Sequence, residues 1–150
     1  MANAEKAIFV NMCMIRNGEK VLVIDRQKKD WPGVTFPGGH VEKEESFVAA
    51  VIREVFEETG LTVQDPVLCG TKQFQDENDA RYVVLFYKAS RFSGELKSSQ
   101  EGEVFWIDRQ KLTDYPLAPD MEAMVQVMES DSLSEFYYYK EDGRWNYQLR

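Results

Sequence analysis

An α/β fold, with a mixed sheet between helical layers, is the class that the sequence predicts. Three observations carry it: several short apolar runs of strand composition, two separated segments of helical periodicity, and turn chemistry between them. A chain of 150 residues fits one domain, residues 1–150, and can bury a core without disulfide or metal support. Its 43% hydrophobic and 13% aromatic content is that of a folded globular protein.

Residues 6–15 and 20–25 read as two strands around Asn17-Gly18, a good hairpin turn. Val21, Leu22, Val23 and Ile24 run on without a polar break, as in a strand covered on both faces. Polar residues 26–30 then lead into Trp31-Pro32-Gly33, loop chemistry ahead of a short segment at Val34, Thr35 and Phe36. Pro37-Gly38-Gly39 bends the chain next.

The clearest helix covers residues 46–59, with Ser46 as N-cap and Gly60 in the left-handed position past its end. Val48, Val51, Ile52 and Val55 recur at i, i+3, i+4 and i+7, which predicts a core-facing stripe. Further strands are expected at residues 63–75, 82–90 and 104–107. A second helix follows at 120–129, with Met121, Met124, Val125 and Met128 on one side. Asp142-Gly143 between aromatic runs marks a C-terminal hairpin over about residues 134–149. Packing at a sheet edge is the plain expectation for it; covering a pocket or forming a dimer contact are the alternatives.

A formal net charge of −8 argues against broad binding to nucleic acid or an anionic membrane. It leaves room for a small phosphorylated ligand, provided that a cation bridges acidic side chains to phosphate. Cys13 and Cys69 are too few for a disulfide framework and read as buried free thiols. The first residues lack a basic stretch followed by an apolar run of signal length, and no apolar stretch is long enough to span a bilayer. A reducing, cytoplasmic setting is the expectation, for a monomer or homodimer.

The chemistry concentrates in residues 39–61. At roughly 100° per residue, Glu54, Glu57 and Glu58 share one sector of the helix, away from the valine stripe. Like charges at i, i+3 and i+4 destabilise an isolated helix by roughly 0.2–0.5 kcal/mol per pair. They also stand near the C-terminal end, where the helix dipole disfavours anions. Something positive is therefore expected on that face. Oxygen ligands without histidine or cysteine suit Mg²⁺, with Mn²⁺ as a substitute, far better than zinc. Gly38 and Gly39 let backbone approach a metal or phosphate closely. Arg53 pairs with a carboxylate or contacts the substrate. An acidic surface helix is also common as mere solvated decoration, so the full spacing carries the weight. It runs Gly39, Glu45, Arg53-Glu54, Val55, Glu57-Glu58, Gly60 and Leu61.

That pattern resembles an intact Nudix box, the signature of hydrolases that cleave a nucleoside diphosphate linked to another moiety. The box spans 23 residues, and the Phe36-Pro37-Gly38 lead-in agrees with it. The resemblance implies a Nudix-type α/β/α sandwich with a central mixed sheet. It implies Glu54 and Glu58 as metal ligands, Glu57 directly or through water, and the Gly38 carbonyl in the same shell. Gly39, Glu45, Arg53 and Gly60 would order the loop and helix. Glu54 would be the general base. Glu101, from a later segment, is a further ligand or alternative base, with Glu103 an equally acidic neighbour.

Within the superfamily the chain is most similar to compact MutT-like nucleoside triphosphate pyrophosphohydrolases, including those that act on 8-oxo-dGTP. Its size, the lead-in from Trp31 and the run Tyr115-Pro-Leu-Ala-Pro-Asp120 carry that likeness. Asp120 would read a purine edge, Phe36 pack against the ring and Arg26 meet the triphosphate. The competing readings are a helix N-cap, a core phenylalanine and a solvated arginine. Rival substrates are ADP-ribose, nucleotide sugars and dinucleoside polyphosphates; a rival class is a nucleotide-binding Nudix module without catalysis.

Overall fold

The computed structural model describes residues 3–150. Its main sheet is built from β1 (Ala7–Asn17), β2 (Lys20–Arg26), β3 (Gly33–Thr35), β5 (Val67–Gln75), β6 (Arg81–Ala89), β8 (Gly102–Asp108), β9 (Glu135–Glu141) and β10 (Arg144–Leu149). The order is β10-β9-β5-β6-β1-β2-β3, with β8 also paired to β2. Two smaller strands, β4 (Leu61–Gln64) and β7 (Arg91–Gly94), pair separately. The helices are α1 (Phe47–Thr59) and α2 (Met121–Glu129).

The sheet is mixed because β1 runs parallel to β6 and β5 parallel to β9, while the remaining pairs are antiparallel. β2 meets β1 only at Val21 and Lys20, then meets β3 from Ile24 onward, with β8 along its whole length. One strand thus changes partners along a single edge, and the sheet opens between β1 and β3. That opening is where the site forms.

Two cores lie on the two faces. Val10, Met12, Met14, Val84, Phe86 and Phe136 pack with Met121, Met124, Val125 and Met128 of α2. Cys13, Ile15, Leu22, Leu85 and Tyr87 pack with Val51 and Val55 of α1. Strand alternation sends successive β1 residues to opposite faces, which explains why a continuous apolar run is needed there.

Local signals account for most boundaries. The Ser46 hydroxyl accepts a hydrogen bond from the Ala49 amide, and Gly60 at φ 80° closes α1 with a bond to the Phe56 carbonyl. Asp142 and Gly143, both at positive φ, form the two-residue hairpin turn. The first turn falls one residue later than expected, at Gly18-Glu19, because Asn17 still pairs with Lys20.

The expected strand over 63–75 is two strands. Asp65 at φ 51° and Pro66 break it, and the first piece pairs with β7, which went unforeseen. Cys13 is buried as expected, but Cys69 is only half-buried at the β5 irregularity. Among the described residues no helix is long and apolar enough to cross a membrane.

Candidate active site

The segment after β3 does not merely bend. It runs alongside β1: the Cys13 amide bonds to Pro37 O, Asn11 to Gly39 O, and Val41 to Phe9 O. Neither Gly38 nor Gly39 has positive φ, so space and not conformation demands glycine. A Cβ on Gly38 would strike the Asn11 carbonyl; one on Gly39 would strike the Glu54 carboxyl. The glycine pair thus lets β1 and α1 approach one another.

That approach rotates α1 relative to the expected stripe. Val48 is 44% exposed, whereas Ala50, Val51, Val55, Glu58 and Thr59 are buried. Glu58, three residues after Val55 and seven after Val51, belongs to the buried face and is 5% exposed. Its carboxylate accepts a 2.7 Å hydrogen bond from the Gly38 amide. Burial nevertheless pushes its carboxyl up to about 7, helped by the charges of Glu54 and Glu101. Burial also raises Glu54, against the opposing pull of Arg53.

Arg53 gathers the rest. Its Nε and Nη2 grip both oxygens of Glu45 at 2.7 and 2.9 Å, Nη1 reaches Glu54 at 2.9 Å and Glu57 at 3.3 Å, and Nη2 bonds the His40 carbonyl. The paired guanidinium holds the Glu45 carboxyl down at about 2. Glu57, by contrast, is more than half exposed.

Glu54, Glu57 and Glu58, with neither Glu45 nor Arg53 among the lining, border a cavity of about 760 Å³. Gly38, Gly39 and Glu101 share that lining with Trp31, Phe36, Phe74, Tyr82 and Met124. Glu101 makes a 2.8 Å ion pair with Lys28, while its neighbour Glu103 is exposed and outside the cavity. Arg26 lines the cavity too, but bonds the Trp31 carbonyl at 3.0 Å and is not a free solvated side chain. Phe36 is both core and wall, 2% exposed. Asp120 does not line the cavity. It stands at φ 65° before α2 with no side-chain cap bond, so the capping alternative is not realised.

Among the described residues no three His, Cys, Asp or Glu side chains converge as a ready-made metal cage. The donors nonetheless fit a hard divalent cation of the magnesium type. Such an ion keeps several waters and is held by one or two carboxylates together with substrate phosphates. Carboxylate oxygens crowd one water-accessible wall, and Arg53 occupies Glu54 and Glu57 where a cation would compete for them.

Sequence reasoning passed over Asn11, Lys28, Lys72, Phe74 and Tyr82, all of them cavity residues. Only Lys72 left a trace, a charge on the same alternate positions as Gly70 and Phe74.

Residues 7–128 match the NUDIX domain family. The chain belongs to the Nudix hydrolases. Two curated Nudix relatives carry activities in their names. CTP pyrophosphohydrolase of Escherichia coli is 32% identical over 76% of this chain and 85% of its own length. ADP-ribose pyrophosphatase of Methanocaldococcus jannaschii is 32% identical over 60% of this chain and 54% of its own length. Among solved Nudix-type structures, the MutT protein of Bacillus halodurans superposes with a TM-score of 0.77 and 29% identity, covering 95% of this chain and 97% of that one.

Proposed function

We propose that this Nudix hydrolase cleaves a nucleoside triphosphate to a nucleoside monophosphate and pyrophosphate, with Mg²⁺ as its ion and Mn²⁺ as a substitute. An oxidised purine nucleotide such as 8-oxo-dGTP is the narrower form of that reading. The observation that carries it is the mixed lining of one cavity. Its carboxylates suit cation-bridged phosphates, and its aromatic side chains suit a base. Its volume of about 760 Å³ also suits a nucleotide-sized ligand.

In this reading Glu54, Glu57, Glu58 and Glu101, with the Gly38 carbonyl, hold the ion. When bound, the ion neutralises phosphate charge and polarises the phosphorus under attack. Glu54 removes the proton from the attacking water; a carboxyl raised by burial is the better base near neutral pH. Glu101 is the alternative base. Gly39, Glu45, Arg53 and Gly60 position the carboxylates. Arg26 and Lys28 face the phosphates and Phe36 packs against the base, while Asp120, outside the lining, acts on the cavity through its charge near Lys72. Catalysis comes chiefly from positioning and charge neutralisation, without a covalent intermediate.

A second reading, ADP-ribose as substrate, has the archaeal relative in its favour. Incubation with Mg²⁺ and a panel of triphosphates, ADP-ribose and nucleotide sugars, with products identified by mass, separates the two. Monophosphate plus pyrophosphate from a triphosphate is expected, and Glu54→Gln should lower that turnover about 100-fold or more. Faster cleavage of ADP-ribose than of every triphosphate would overturn the assignment.

A further inference from the structure

Lys72 projects from β5 between Val84 of β6 and Phe136 of β9, on the α2 face of the sheet. It is 9% exposed and lines the cavity. Its ammonium makes neither a hydrogen bond nor an ion pair with any described residue. Three rings surround it instead, with Nζ 5.1 Å from the centre of Phe136, 5.2 Å from Tyr138 and 5.7 Å from Phe74.

A lysine so placed is costly. Burial lowers its pKa, and only the charge of Asp120 pulls the other way. Cation–π contact offsets part of that cost but leaves the donors of the ammonium unused. Asn11 Nδ2 is the fully enclosed side-chain polar atom left without a partner among the described residues. The Lys72 ammonium is therefore not sealed, and its opening is the cavity.

The surroundings define the acceptor. Phe36, Phe74, Tyr82 and Met124 are flat or apolar walls that suit a ring and not a phosphate. Asp120, within electrostatic range of Lys72, disfavours a second anion beside it. A neutral carbonyl oxygen on a ring meets both conditions. We infer that Lys72 determines base specificity by donating a hydrogen bond to an exocyclic carbonyl of the nucleobase. Bases with an amino group at that position are thereby rejected. The inference rests on the nucleotide reading of the preceding subsection.

Inosine and adenosine nucleotides supply the probe, since they differ by a carbonyl against an amino group at one ring position. Two quantities are read in wild type and Lys72→Met, which keeps most of the aliphatic stem. One is kcat/KM for ITP against ATP with Mg²⁺; the other is equilibrium binding of IMP against AMP. Wild type should favour inosine about 10- to 100-fold, and Lys72→Met should bring the ratio near one through loss on the inosine side. Lys72→Gln, which retains an N–H donor, should keep part of the preference and serves should the methionine variant not fold. A ratio unchanged by both substitutions, or a wild-type preference for adenosine, overturns the inference while leaving hydrolysis intact. A Lys72-dependent preference for IMP without turnover of any triphosphate would instead sustain Lys72 and reject the hydrolytic reading.

Discussion

Glu58 lies between the Val51/Val55 face of α1 and the Gly38 amide, with a carboxyl pushed up to about 7 from an ordinary value of 4.5. Between those two values the folded protein holds a proton that the unfolded chain has released. Stability from this group is therefore fully present below about 4.5 and is lost as pH rises through about 7. The loss above pH 7 is on the order of 3 kcal/mol. In metal-free buffer, Glu58→Gln should thus melt above wild type at pH 8, and the difference should shrink toward pH 4. Calorimetric melting in a chelator reads this directly; a difference independent of pH would mean that Glu58 is not held charged against burial. The box positions of all these glutamates were legible in the sequence. The burial of Glu58 was not, because helical periodicity names a stripe but not which neighbouring column the sheet covers. Glycines 38 and 39 decided that by letting β1 and the Glu54–Glu58 column close together.

At the scale of elements, capping and turn residues were the most readable features, since Ser46, Gly60 and Asp142-Gly143 act within a few residues of themselves. β7 was not readable. Arg91-Phe92-Ser93-Gly94 has a single large apolar side chain and becomes a strand only by pairing with β4. The C-terminal hairpin was read correctly as a hairpin at a sheet edge, yet it contributes more than an edge. β9 pairs with Thr71, Lys72 and Gln73, and Phe136 is completely buried beneath α2 and beside the Lys72 ammonium. Phe136→Ala should cost about 3–5 kcal/mol of stability, measured by urea unfolding. A loss under 1 kcal/mol would place the hairpin outside the folded core.

For the whole molecule, the Nudix box announced itself because its residues fall within one loop and one helix. The remaining cavity did not, since Asn11, Lys28, Lys72, Phe74 and Tyr82 come from four separate stretches and meet only when the mixed sheet forms. Fold and family were thus legible from local signals, whereas the rest of the cavity lining depends on long-range pairing that a single sequence does not display.

The proposed function requires the α1 carboxylates to take a divalent cation through which phosphates are held. Titrating Mn²⁺ into the protein and following free ion by electron paramagnetic resonance, with and without a non-hydrolysable nucleoside triphosphate, tests it most directly. Wild type should bind Mn²⁺ and bind it more tightly with the nucleotide analogue, while Glu54→Gln and Glu58→Gln should each weaken binding about tenfold or more. Mn²⁺ affinity that neither substitution changes, and that the analogue does not improve, would contradict the account.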